Sequence, residues 1–195
     1  MQRNTRHAPH SKNHLQPLPG AKERTMPTTV LVPPTRALRR QVPALPPMDS
    51  LQRTHHDLLL AVDELQQLLR DIEENGATPD RRAIVRSLIQ FIDTHGREHH
   101  AEEERSVFPD LLASADVDLV QHVRRLQQDH GWLEQDWLEM RPHLDAIAHG
   151  IGGVDMDVLR QAAEVFAELY RDHIALEETV VYPEALRQRH AAAGH

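Results

Sequence analysis

The sequence predicts an all-α protein: an up-down-up-down four-helix bundle with a pseudo-twofold internal repeat, behind a proline-rich, disordered N-terminal tail. Three observations carry that expectation. From Leu51 onward, apolar residues recur at the three-and-four spacing of a buried helix face. Aromatic residues are only 4% of the chain, so its core must rest on small aliphatic packing, the usual composition of a helical bundle. The stretch "HHAEEERSVFP" at 99–109 also returns as "HIALEETVVYP" at 173–183, so the chain repeats itself.

The first 47 residues hold nine of the thirteen prolines, in pieces such as "LQPLPG" and "VPALPP", with no sustained period. That is the pattern of extended or disordered linker. Residues 1–48 are therefore assigned to a tail, 49–188 to the bundle and 189–195 to a disordered C-terminus. The first helix carries the inward line Leu51, His55, Leu58, Val62, Leu65, Leu69. Asn75-Gly76 ends it, and Thr78-Pro79-Asp80 opens the second, whose line is Val85, Leu88, Ile92, His95, His99, Glu103. Pro109 and "SADVD" separate this from a third helix facing inward through Leu119, Val123, Leu126, His130, Leu133, Trp137 and Met140, which Pro142 should kink or end. After the glycine-rich "HGIGGVD", the fourth helix turns Leu159, Phe166, Tyr170, His173, Glu177 and Val180 inward. His55 aligns with His130 and Val62 with Trp137, so the first two helices correspond to the last two.

Charge and composition exclude several functions. There is no cysteine, hence no disulfide, thiolate metal site, iron–sulfur cluster or cysteine nucleophile. Residues 1–50 hold eight Lys/Arg against Glu23 and Asp49, a net of +6, which leaves −14 for residues 51–195 of the total −8. An acidic body argues against nucleic acid as a partner. The sequence has no apolar run approaching the roughly 20 residues of a membrane helix and no secretory apolar segment, so a cytoplasmic location without membrane contact is expected.

The repeated motif carries the chemistry. Residues four apart share a helix face about 6 Å apart along the axis, close enough for an imidazole and a carboxylate to converge on one ion. His99 with Glu103, and His173 with Glu177, form two such pairs, and His55 and His130 add one imidazole each from the remaining helices. Two buried carboxylates need a positive partner, and no Lys or Arg lies on the inward lines, so metal is the expected one. Nitrogen and oxygen donors without thiolate suit iron, manganese, zinc or copper. Four imidazoles and two bridging carboxylates fit two ions about 3.5–4 Å apart, with coordination positions left open for a small ligand.

The doubled His-x3-Glu pattern, each copy followed by a proline and preceded by a core histidine one helix earlier, resembles the HHE cation-binding domains of the hemerythrin-like family over about residues 50–188. The resemblance implies a carboxylate-bridged non-haem di-iron centre with His55, His99, Glu103, His130, His173 and Glu177 as ligands, zinc or manganese being the alternatives. It also implies roles in binding dioxygen or nitric oxide, handling peroxide, sensing, or iron homeostasis. The expected partner is thus a small diatomic or peroxide. A peroxide-decomposing enzyme and an interaction module with a purely structural metal are the other functions considered. Oxygen-carrying members have a second histidine where this chain has Glu134, and a final aspartate five residues after the last histidine, where Glu177 stands at four. The iron–sulfur repair members match better but carry a cysteine-bearing N-terminal region, and this chain has no cysteine.

Several residues admit two readings. His56 rivals His55 but continues a poorer apolar line. His95 is either a further ligand or a hydrogen-bonded support, and Glu134 either approaches the metal or lies on the helix surface. Tyr170, one turn before His173, is either a donor to bound ligand or plain core. Glu102, Glu104 and Glu178 point up to 100° away from their neighbouring ligands and are expected in solvent. Phe108-Pro109 and Tyr182-Pro183 are expected to close the bundle's end and stop each helix.

Overall fold

The computed structural model describes residues 48–193, so the proline-rich basic tail lies outside the described residues. Within them the chain is all-α, with no strand. Helix α1 spans Met48–Asn75, α2 Pro79–Ser106, α3 Phe108–Leu112, α4 Val117–His149 and α5 Met156–Leu176; a π-helical turn at Glu177–Val181 leads directly into α6, Tyr182–Ala193. No helix among the described residues is long and apolar enough to cross a membrane.

Local chemistry sets the helix ends. Gly76, at φ 79°, follows α1, and Thr78 caps α2 by accepting from Arg81 N, with Pro79 in the first turn, where its missing N–H costs nothing. Asp116 caps α4 through Leu119 N at 3.1 Å, and Asp155 caps α5 through Val158 N at 3.1 Å. Gly150, at φ 71°, closes α4, whose last carbonyls are taken by Gly150 N and Ile151 N.

Each long helix packs against two others: α1 and α4 both touch α2 and α5. Their inward residues form two apolar clusters. The larger gathers Leu58, Leu65, Leu69, Leu88, Ile92, Leu133, Leu144 and Phe166 among others. The smaller, at the other end, joins Leu51, Phe108, Leu111, Val123, Leu126, Val181 and Tyr182. Fully burying one such leucine is worth about 1.5–3 kcal/mol, so these two clusters hold the helices in place. The polar positions lie between them on every long helix. His55 follows Leu51 and precedes Leu58; His130 falls between Leu126 and Leu133.

Four expectations change, and of the two outcomes expected at Pro142 one is excluded. His95 is exposed, its Nδ1 3.1 Å from Phe91 O, and buried Gly96 takes the inward slot. The line thus steps 92, 96, 99, 103, nearer the helical period than one through 95. Pro142 lies inside α4 without ending it. Pro183 likewise does not stop the last helix: Tyr182 N bonds Glu177 O, five residues back, and this wide turn sits just before a residue that has no N–H to donate. The extra residue moves the buried position from Val180, which is half-buried, to Val181. Finally, α6 continues through Ala193, five residues beyond the expected end of the bundle, in the helix-favouring run "RQRHAAA".

Candidate metal centre

All six candidate ligands, His55, His99, Glu103, His130, His173 and Glu177, are buried, none more than 6% exposed. They come from four helical segments: His55 from α1, His99 and Glu103 from α2, His130 from α4, and His173 with Glu177 from the end of α5 and the π turn. Their donor atoms fall into two overlapping groups. One is His55, His99, Glu103 and Glu177; the other is His130, His173, Glu103 and Glu177, and within each group all atoms lie within 4.8 Å of one another. The two carboxylates belong to both.

Distances inside the groups suit ligands around an ion. Glu177 oxygens lie 3.1 Å from His55 Nε2 and 3.2 Å from His173 Nε2; Glu103 Oε2 lies 3.4 Å from His99 Nε2 and 3.5 Å from His130 Nε2. Bonds of about 2.0–2.2 Å to one ion leave neighbouring donor atoms about 3 Å apart. Hydrogen bonding alone does not satisfy these groups. Both Glu177 oxygens, Glu103 Oε2 and the Nε2 atoms of His99, His130 and His173 are buried with no hydrogen-bond partner. Buried polar atoms are ordinarily paired, so such a convergence of orphaned donors fits cations.

The electrostatics agree. Burial opposes charge on His55, but the adjoining Glu103 and Glu177 outweigh it and push its pKa up to about 10. His173, also desolvated, is raised to about 9 by Asp129 and Glu177. Burial would raise Glu103, yet His130 and His55 hold it well below the carboxylate range. His99 and His100 are lowered, chiefly by burial. The cluster therefore draws positive charge to itself, as imidazolium protons or as metal ions.

Residues around the cluster orient it. His55 Nδ1 donates to Glu178 at 3.0 Å and His130 Nδ1 donates to Glu104 at 2.9 Å, which turns each Nε2 inward. These glutamates are exposed, as expected, and yet also hold the two single histidines. Their signal was in the repeat, which carries Glu103-Glu104 and Glu177-Glu178 as matching pairs. Buried Asp129 lies 3.9 Å from His173 Nδ1. Tyr182 stacks on His55 with centroids 5.2 Å apart, donates to Glu103 Oε1 and stands 3.1 Å from His55 Nε2. Burial, with Glu103 and Glu177 nearby, raises this hydroxyl, so it stays a neutral donor. Phe108, its repeat counterpart, stacks on His130 at 5.6 Å. Both aromatics thus belong to the site itself.

The remaining candidates separate clearly. His56 and His95 are exposed, away from the cluster. Glu134 is 48% exposed and pairs with Arg97 at 3.3 Å. Tyr170 is buried, and a Cβ on Gly96, the repeat equivalent of Tyr170, would meet its hydroxyl at 3.0 Å.

A helical domain with two buried His/Glu donor groups sharing their carboxylates defines a metal-binding class. Residues 39–185 match the family model of the hemerythrin HHE cation binding domain, three quarters of the chain, and the protein belongs to that family. A relative in Haemophilus influenzae, described only as an uncharacterized protein, is 25% identical over 132 residues, covering 68% of this chain and 74% of the relative. No solved structure matches the chain.

Proposed function

We propose that the protein holds a carboxylate-bridged di-iron centre and binds or reacts with dioxygen, peroxide or nitric oxide, in oxygen or redox sensing or detoxification. In this reading His55 and His99 would hold one ion and His130 and His173 the other, with Glu103 and Glu177 available to both. The surrounding architecture is an up-down-up-down four-helix bundle whose halves are related by a pseudo-twofold axis, in a cytoplasmic protein. The observation that carries the reading is the pair of overlapping donor groups with both fully buried carboxylates in common.

Iron would supply electron transfer and open coordination positions for the small ligand. The chain supplies the rest. Glu178 and Glu104 fix the tautomers of His55 and His130, Tyr182 holds one oxygen of Glu103, and the two apolar clusters keep bulk water from the carboxylates. A ligand can approach through a cleft between α2 and α4 that reaches His130. Direct access favours redox reaction at the centre over a metal that only staples the helices.

Metal analysis and an optical spectrum of purified protein, followed by peroxide or oxygen, test this. Two irons per chain with charge-transfer bands that change on adding the oxidant are expected. Fewer than one iron per chain and a featureless spectrum would sink the proposal, whereas sustained gas evolution from peroxide would favour the enzyme reading over sensing.

A further inference from the structure

His100 belongs to neither the predicted ligand set nor the polar shell just described, yet it faces the same cluster. Its ring stacks on His130 with centroids 4.0 Å apart, and lies 5.5 Å from the His173 ring. A nitrogen of each of His100, His130 and His173 falls within the same 4.8 Å sphere of mutual separation that relates the main donor groups. Its Nε2 is buried with no hydrogen-bond partner. A buried, orphaned imidazole nitrogen among ligand atoms needs a partner, and neither a carboxylate nor a backbone carbonyl provides one.

We infer that His100 is a third imidazole donor to the ion held by His130 and His173, which makes the two ion positions chemically unequal. The inference rests on the two-ion reading above. The repeat explains why only one position gains a nitrogen: His99 and Glu103 map onto His173 and Glu177, so His100 maps onto Ile174, which is buried and apolar. No second imidazole is therefore added at the His55 end. His100 also lines the inner end of the α2–α4 cleft, a cavity of about 620 Å³ bordered by Gly96, Glu104, His130, Gly131 and Tyr170. The better-supplied ion is thus the one facing the cleft. Filling one of its positions with nitrogen narrows where an incoming ligand can bind.

The test uses the whole protein loaded anaerobically with isotopically enriched ferrous iron, read by metal content and Mössbauer spectroscopy. Wild type should take two irons per chain and give two distinct quadrupole doublets. His100→Phe keeps a ring against His130 but removes both nitrogens. It should leave one doublet in place, shift the other, and weaken the second equivalent of iron at least about tenfold. His95→Phe, exposed on the same helix, should change neither. Should His100→Phe fail to fold by circular dichroism, His100→Gln is read in the same way, its amide oxygen being the weaker donor. Two irons and two unshifted doublets in a folded His100 variant overturn the assignment while leaving the two-ion centre intact. One iron or none in wild type overturns the two-ion reading itself, and the assignment with it.

Discussion

The His55–His99 end of the buried cluster and the His130–His173 end descend from one repeated motif, and they differ in what stands beyond the shared carboxylates. At the first end, Tyr182 stacks on His55 and lends a hydroxyl to Glu103. At the second, Phe108 occupies the equivalent place without a hydroxyl, while His100 and the α2–α4 cleft adjoin His130. Each end keeps its own outer carboxylate, Glu178 or Glu104. Repetition accounts for what is common, the His/Glu pairs and their supports. Single departures, tyrosine for phenylalanine and histidine for isoleucine, make one end phenolic and set the other beside a surface cleft.

The most damaging change is one that both ends feel together. Glu103→Ala and Glu177→Ala each remove a carboxylate that belongs to both donor groups. Iron should fall from two per chain to well below one in either variant, by metal analysis after desalting. Glu134→Ala, whose parent side chain pairs with Arg97 at the surface, should keep both ions. Retention of two irons by either bridging variant would remove the basis for treating the carboxylates as shared.

The outer carboxylates separate the ends. Removing a hydrogen-bonded partner of a ligating histidine typically costs about 10–100-fold in metal affinity. Glu104→Ala should therefore weaken the His130 end and Glu178→Ala the His55 end, each leaving one tight equivalent in a competition titration with a chelator. If both variants titrate as wild type, the two glutamates are surface groups after all.

How much of this was legible in the sequence depends on which regularity carried it. The inward lines of α1 and α4 follow the helical period without interruption, and every residue named on them is buried. Helical period failed at His95, because glycine has no side chain to announce a buried slot, and Gly96 is buried to make room for the Tyr170 hydroxyl. It failed again at Val180, where the π turn inserts a residue that no simple period anticipates. At the site, convergence of six side chains followed from the doubled motif. Glu104 and Glu178 were repeated just as faithfully, and an argument from one helix face rightly assigns them to solvent; only the neighbouring helix, bringing His130 or His55 alongside, shows that they also bond these histidines. His100 has no repeat partner, so its place beside His130 and His173 emerges only in three dimensions.

Tyr182→Phe makes the two ends more alike. It retains the stack on His55 and deletes the donor to Glu103 Oε1. Loss of a hydrogen bond to a charged, buried acceptor costs about 1.5–3 kcal/mol, so metal-free protein should unfold at lower urea concentration. Iron should still bind at both positions, with the larger spectral change at the His55 end, whose ring Tyr182 also stacks on, and a smaller one at the other end through shared Glu103. An unchanged urea midpoint would mean that the hydroxyl contributes nothing to holding Glu103.

The smallest effect sharpens the comparison by closing the open end. Gly131 lines the cleft beside His130, it is exposed, and a Cβ built on it meets no atom within 4 Å. Gly131→Leu therefore fits without strain, and replacing glycine in a helix interior should raise stability by roughly 0.5–1 kcal/mol. Its side chain would project into the route to His130 while touching no ligand of either end. Iron content should stay at two per chain, and azide, a small anion that binds open iron positions, should associate several-fold more slowly in stopped-flow measurements. An unaltered association rate in a stabilised, fully loaded variant would show that small ligands reach the centre by a path other than the α2–α4 cleft, and the open end would then be open in shape alone.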